Sequence, residues 1–143
     1  MRKIALLILL PSLIACPPPL DPVVYWVGEM YIDPEQIPAD GQTAAEISIF
    51  VHDDVSSDPI QGIWIVVESS RNQGGNVLDI IEKPIAPTDA DGRAVAHLWS
   101  STPGEAQFAA LYSRFEGEQG APLCSGWKAN ECVPLRVLIT FVE

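Results

Sequence analysis

From Tyr25 onward, apolar and polar positions alternate in short runs, and no stretch of ten or more residues carries a helical repeat. The clearest run is Ala45 to Val51, where Ala45, Ile47, Ile49 and Val51 alternate with Glu46, Ser48 and Phe50. A period of two sends successive side chains to opposite faces, so the first set is predicted to be buried. Ile63, Ile65 and Val67 repeat the pattern after Asp58-Pro59-Ile60-Gln61-Gly62, and Ala94, Ala96 and Leu98 repeat it after Asp91-Gly92. Ala106 to Leu111 should point Ala106, Phe108 and Ala110 inward; Leu135 to Phe141 should do the same with Leu135, Val137, Ile139 and Phe141. An opening strand near Val27 to Ile32 and a short one at Val77 to Ile81 complete the set. About seven short strands with turns between them predict an all-β, two-sheet Greek-key sandwich. Burial of the alternating apolar residues, at about 25 cal/mol per Å², is what should hold it together.

The first 24 residues do not belong to that pattern. Arg2 and Lys3 precede an apolar stretch, Ile4 to Leu10, and then Leu13-Ile14-Ala15-Cys16. A basic start, an apolar core and a small residue before a cut are the parts of a secretory signal. The stretch is too short for a transmembrane span, which needs roughly 20 apolar residues. Residues 1–15 are therefore expected to be a cleaved leader. The four residues at its end resemble the lipobox of bacterial lipoproteins, which implies a diacylglyceryl group on Cys16. Two or more acyl chains, at about 0.8 kcal/mol per buried methylene, hold a protein firmly on a membrane without a spanning helix. Residues 16–24 carry Pro17-Pro18-Pro19-Leu20-Asp21-Pro22. Such a segment extends as a polyproline-type tether of about 3.1 Å per residue. Residues 25–143 are left for the sandwich.

Charge narrows the partners. The full chain carries −11, and loss of Arg2 and Lys3 from its 8 basic residues, against 19 acidic ones, takes the mature chain to −13. Phosphate backbones would repel it, which argues against nucleic acid, and anionic headgroups would not attract it either. The lipid must do the anchoring. With Cys16 acylated, Cys124 and Cys132 remain as an even pair in an oxidising compartment. A bridge between them would close a loop of about nine residues, worth roughly 2.5 kcal/mol in the chain-entropy model. A metal or redox pair is the weaker alternative, because the spacing is not Cys-x-x-Cys and no histidine is near in sequence.

A family resemblance rests on four turn signatures in order: Pro38-Ala39-Asp40-Gly41, Pro59-Ile60-Gln61-Gly62, Thr88-Asp89-Ala90-Asp91-Gly92-Arg93-Ala94 and Ser100-Ser101-Thr102-Pro103-Gly104. Together they make Ile37 to Leu111 resemble the bacterial Ig-like domain, group 1, of the invasin and intimin type. The resemblance implies an immunoglobulin-like sandwich and a structural or adhesive module on the bacterial envelope. It departs from the family in showing one copy, no internal repeat and a lipid anchor. It also has a long connection, residues 113–133, that holds both remaining cysteines. Long loops on rigid scaffolds tend to carry individual specificity.

The candidate chemistry is that of a binding module. Thr88-Asp89-Ala90-Asp91-Gly92 and His52-Asp53-Asp54 place two carboxylates close together, whereas calcium takes about six oxygens; ordinary turn chemistry accounts for both. His52 and His97 are the only histidines, and no Gly-x-Ser-x-Gly, His-Glu-x-x-His or phosphate-cradling loop accompanies them. No cofactor, metal or catalytic set is expected. Alternation puts His52 and His97 on an outward face with Phe50 and Trp99 if their strands pair as in the family, a candidate patch for a protein or glycan partner. The same face covered by loops or packed on a neighbour is the alternative. Trp64 and Leu138 should point outward from the other sheet. Trp127, in the cysteine loop, is either an exposed anchor for a partner or a cover for the disulfide. The expected function is a non-catalytic, lipid-anchored envelope protein used for adhesion, partner binding or envelope structure, with the outer membrane favoured because Pro17, not aspartate, follows Cys16. A small secreted sandwich enzyme, or an accessory subunit of an envelope complex, is the alternative.

Overall fold

The alternating runs become strands because each has one face to bury and the turns between them carry the residues that reverse a chain. A computed structural model describes residues 26–83, 85–113, 120–128 and 131–143, without the side chains of 85, 126–128, 131 and 132. The strands are β1 (Trp26–Asp33), β2 (Gln36–Pro38), β3 (Ala45–Asp53), β4 (Trp64–Ser69), β5 (Asp79–Glu82), β6 (Ile85–Pro87), β7 (Arg93–Ser100), β8 (Gly104–Ser113), β9 (Ala121–Pro122), β10 (Cys124–Lys128), β11 (Glu131–Pro134) and β12 (Arg136–Val142). The first sheet has the order β11-β10-β1-β3-β7-β5; the second has β2-β12-β8-β4-β6, with β9 also on β8. Within these, β1-β3-β7-β5 faces β12-β8-β4, the four-on-three arrangement of an immunoglobulin constant-type sandwich.

The core lies between the sheets. Ile47, Ile49, Val51, Ala96 and Leu98 from the first meet Ile65, Val67, Phe108, Ala110, Ile139 and Phe141 from the second, all buried. The inward sets expected for β3, β4, β7 and β8 are found buried; in β12, Val137 is only half-buried.

Two turn signatures lock to each other. Thr88 Oγ1 donates to the Ile60 carbonyl at 2.6 Å and accepts the Ile63 N–H at 3.0 Å. Its backbone exchanges bonds with the same turn, N–H to Ile63 O and C=O from Gly62 N–H, both at 2.9 Å. Asp89 Oδ1 accepts the N–H groups of Asp91 and Arg93, both at 2.9 Å, an Asx turn that starts β7. Asp40 and Asp53 cap their own turns in the same way, and the donors from Thr43 and Ser56 hold both carboxyls below the ordinary carboxylate range.

The segment expected as a long loop, 113–133, is largely strand where described. β9 pairs with β8; the chain then crosses at Leu123 to the first sheet, where β10 runs parallel to β1 through Val27 and Cys124. β11 returns antiparallel to β10, and Leu135 re-enters the second sheet. The crossings are tied by Leu123 N–H to Ala110 O at 3.0 Å and Leu135 N–H to Leu123 O at 2.8 Å. Leu123 is fully buried and Leu135 nearly so. They fit because β1 has Gly28 opposite them: a Cβ there would come within 2.6 Å of Leu123 and 2.8 Å of Leu135. The segment was expected as a connection between two strands; an edge far away in sequence, that of β1, made β10 and β11 part of the first sheet.

The short strand read at Val77 to Ile81 begins instead at Asp79, which is buried, while Val77 and Leu78 are exposed. The reason is a polar cluster at the β4–β5 crossover. Ser69 and Arg71 both bind the Asp79 carboxylate, and Arg71 Nε lies 3.1 Å from each of its oxygens. Arg71 also donates to Ser100 Oγ at 2.9 Å and Thr102 O at 3.1 Å, and its guanidinium sits 4.8 Å from the Phe141 ring centre. The cluster joins β4 of one sheet to β5 and β7 of the other.

Candidate functional site

The outward face of the first sheet follows from the register. Reading across β1, β3, β7 and β5, one row holds Asp33, Glu46, His97 and Glu82; the next holds Tyr31, Ser48 and Val95; the next Glu29, Phe50 and Arg93; and the last Val27 and His52. Trp99 and Ile80 pair beyond the first row. Phe50, His52, His97 and Trp99 therefore share one face, all half-buried, but not one patch. Antiparallel pairing sets Phe50 opposite Arg93 and His97 opposite Glu46, four residues apart on β3, or about 13 Å at the usual rise.

Each pair borders its own depression. His97 and Trp99, with Gln42 and Glu82, line one of about 470 Å³. Phe50 and His52, with Glu29 and Asp91, line another of about 390 Å³. Between them Arg93 Nη2 donates to Glu46 Oε1 at 2.6 Å and Ser48 Oγ at 2.9 Å, with its guanidinium 6.0 Å from the Phe50 ring centre. His97 lies between two carboxylates, 3.7 Å from Glu46 and 3.9 Å from Glu82.

Sequence reasoning passed over Tyr31. It is 54% exposed, packs edge-on against Phe50 with ring centres 6.1 Å apart, and donates to Glu29 Oε2 at 2.5 Å. That acceptor holds the phenol above its ordinary pKa. Its signal was present in the alternation Glu29-x-Tyr31-x-Asp33. The face thus combines three aromatic side chains, Tyr31, Phe50 and Trp99, with four carboxylates, Glu29, Asp33, Glu46 and Glu82, and one cation, Arg93. Rings supply area at low entropic cost, and carboxylates and imidazoles supply directional hydrogen bonds, so this arrangement suits recognition of a partner surface or sugar. On the other sheet Trp64 is half-buried and Leu138 is 52% exposed, both outward as expected.

Cys16 and residues 1–24 lie outside the described residues, as do the side chains of Trp127 and Cys132. Their strands are described: Cys124, buried, sits opposite Pro134, and Trp127 opposite Cys132.

No family model matches the sequence, and no curated protein matches it. Solved structures do. A D00-D0 domain fragment of intimin superposes with a TM-score of 0.58 at 17% identity, over 85% of this chain and 50% of that one. Invasin, a bacterial integrin-binding protein, gives 0.56 at 22% identity, over 82% of this chain and 19% of that one. The C-terminal fragment of intimin in complex with the intimin-binding domain of the translocated intimin receptor gives 0.51 at 23% identity, over 66% and 30%. The chain spans half the length of the intimin D00-D0 fragment, and less of the others. It has the immunoglobulin-like fold of the intimin and invasin domains.

Proposed function

We propose, from that shared fold, that the protein is a non-catalytic lipoprotein that holds one Ig-like domain at the cell envelope to bind a protein or glycan partner. The observation that carries the reading is the aromatic and carboxylate face of the first sheet, on a fold also used by adhesin domains crystallised with, or named for, a protein partner. The leader 1–15, the acylated Cys16 and the tether 16–24 supply the anchoring. The outer membrane is the favoured location, on Pro17. A bridge between Cys124 and Cys132 belongs to the same reading. The two cysteines lie on β10 and β11, which pair antiparallel. Depletion of basic residues keeps nucleic acid out of the list of partners.

The anchor is tested by intact mass and fractionation. The wild-type protein extracted from membranes should weigh residues 16–143 plus acyl chains, and Cys16→Ser should leave the membrane; an unmodified, soluble wild type would remove the anchor from the reading. The face is tested by photo-crosslinking in the intact envelope from a probe at Trp99, with a probe at Leu138 as control. Adducts are expected from position 99 and not from 138. The reverse would move the binding site to the second sheet.

A further inference from the structure

We propose that Asn72 guards an edge: its side chain fills the place of a neighbouring strand on β5 and so keeps two copies of this chain from pairing there. Among the described residues, β5 ends the first sheet and pairs only with β7. Along an antiparallel strand, alternate residues turn their N–H and C=O groups toward the partner and away from it. Asp79 and Ile81 share the outward parity. Both outward groups of Asp79 are taken by one side chain, since Asn72 Oδ1 accepts its N–H at 2.9 Å and Nδ2 donates to its C=O at 2.7 Å. The same Oδ1 accepts the Leu78 N–H at 2.8 Å. A carboxamide carries the donor and acceptor of a peptide group, so Asn72 reproduces the two-bond exchange of a paired residue. One outward rung, Ile81, remains in this four-residue strand.

The side chains around that rung are those of an adhesive edge. Val77 is 73% exposed, Ile80 50%, and Leu78 is exposed as well. Val77, Ile80 and Ile81 line a cleft of about 490 Å³ opposite Val67 and Ser69 of β4, residues that lie past the point where β6 stops pairing. Apolar edges of this kind template strand addition unless a charge, a proline or a covering group blocks them. Asp79 cannot serve, because its carboxylate is buried against Arg71. Asn72 is held in place by its own N–H to Ser69 O at 3.2 Å and by the neighbouring Arg71. The occupant it excludes is a second copy, since two β5 edges meeting antiparallel about a twofold would bury Val77, Leu78 and Ile80 of both chains in one isologous contact.

Sedimentation velocity of the purified protein at rising concentration tests this. The wild type should sediment as one copy and folded Asn72→Ala should shift to two, while Asn72→Ala with Ile80→Lys should return to one. A folded Asn72→Ala that stays single, a double variant as associated as the single, or a wild type already paired through β5 would each overturn the proposal. If Asn72→Ala does not fold, Asn72→Ser replaces it, because a short uncharged hydroxyl cannot span both the N–H and the C=O of Asp79; it must shift in the same direction.

Discussion

Asp79→Ala is expected to destabilise the fold by about 3–5 kcal/mol, the usual cost of removing one partner of a buried ion pair. At roughly 3–5 °C per kcal/mol for a domain of this size, the melting temperature should fall by on the order of 10–20 °C. Asp79 is buried, and its side chain is fully inaccessible while that of Arg71 is 13% exposed. Alanine would leave the guanidinium with Ser100, Thr102 O and the Phe141 ring but no counter-charge, and it would take from the Ser69 O–H its acceptor. The cost is mainly that of the unpaired cation, so replacing both partners with apolar residues, Arg71→Met with Asp79→Leu, should recover more than half of it. Thermal unfolding of Asp79→Ala beside Arg71→Met, Asp79→Leu and their double variant, the last three read as a cycle, checks this. A double variant no more stable than Asp79→Ala would show that the cluster works by packing geometry and not by charge pairing.

Gly92→Ala is the second large effect, expected at about 3 kcal/mol. The residue has φ of +70°, and a side chain in the left-handed region costs about 1–2 kcal/mol. Space adds to that. A Cβ on Gly92 would drive into the carbonyl oxygen of Val51 and sit 3.2 Å from the Ile60 nitrogen, both backbone atoms that cannot rotate away. Val51 is fixed from both sides, its N–H donating to Gly92 O at 2.8 Å and its C=O accepting Ile60 N–H at 2.9 Å. Moving the strand end would weaken those bonds, at about 1 kcal/mol each. Gly75 is the control: its φ is +87° and nothing lies within 4 Å of its added Cβ, so Gly75→Ala should cost only the conformational part, about 1–2 kcal/mol. Chemical denaturation of both variants separates strain from collision, and equal losses would discard the close approach as the cause.

The candidate site was legible in part. Alternation in Ala45–Val51 and Ala94–Leu98 identified which residues face out, and Phe50, His52, His97 and Trp99 do share a face. Their separation into two ends was not legible, because it depends on the register between β3 and β7, and register is a relation between strands far apart in the chain. The Arg71–Asp79 cluster was missed for a similar reason. Asp79 interrupts an apolar run, Val77-Leu78-Asp79-Ile80-Ile81, and a lone carboxylate in such a run has no local sign that a cation eight residues earlier will turn back to meet it.

What the sequence by itself determined is therefore the local part. Period-two burial chose strands and named the inward sets of β3, β4, β7 and β8; Asp-Gly and Pro-x-x-Gly clusters placed the turns, whose Asx bonds close within a few residues. Tertiary structure alone decided the rest. β10 and β11 joined the first sheet because β1 offered a free edge and Gly28 left room for Leu123 and Leu135. Asp79 turned inward because Arg71 and Ser69 were there to receive it. In both cases the deciding free energy, an edge paired or a buried charge compensated, belongs to two segments at once, and neither segment carries it alone.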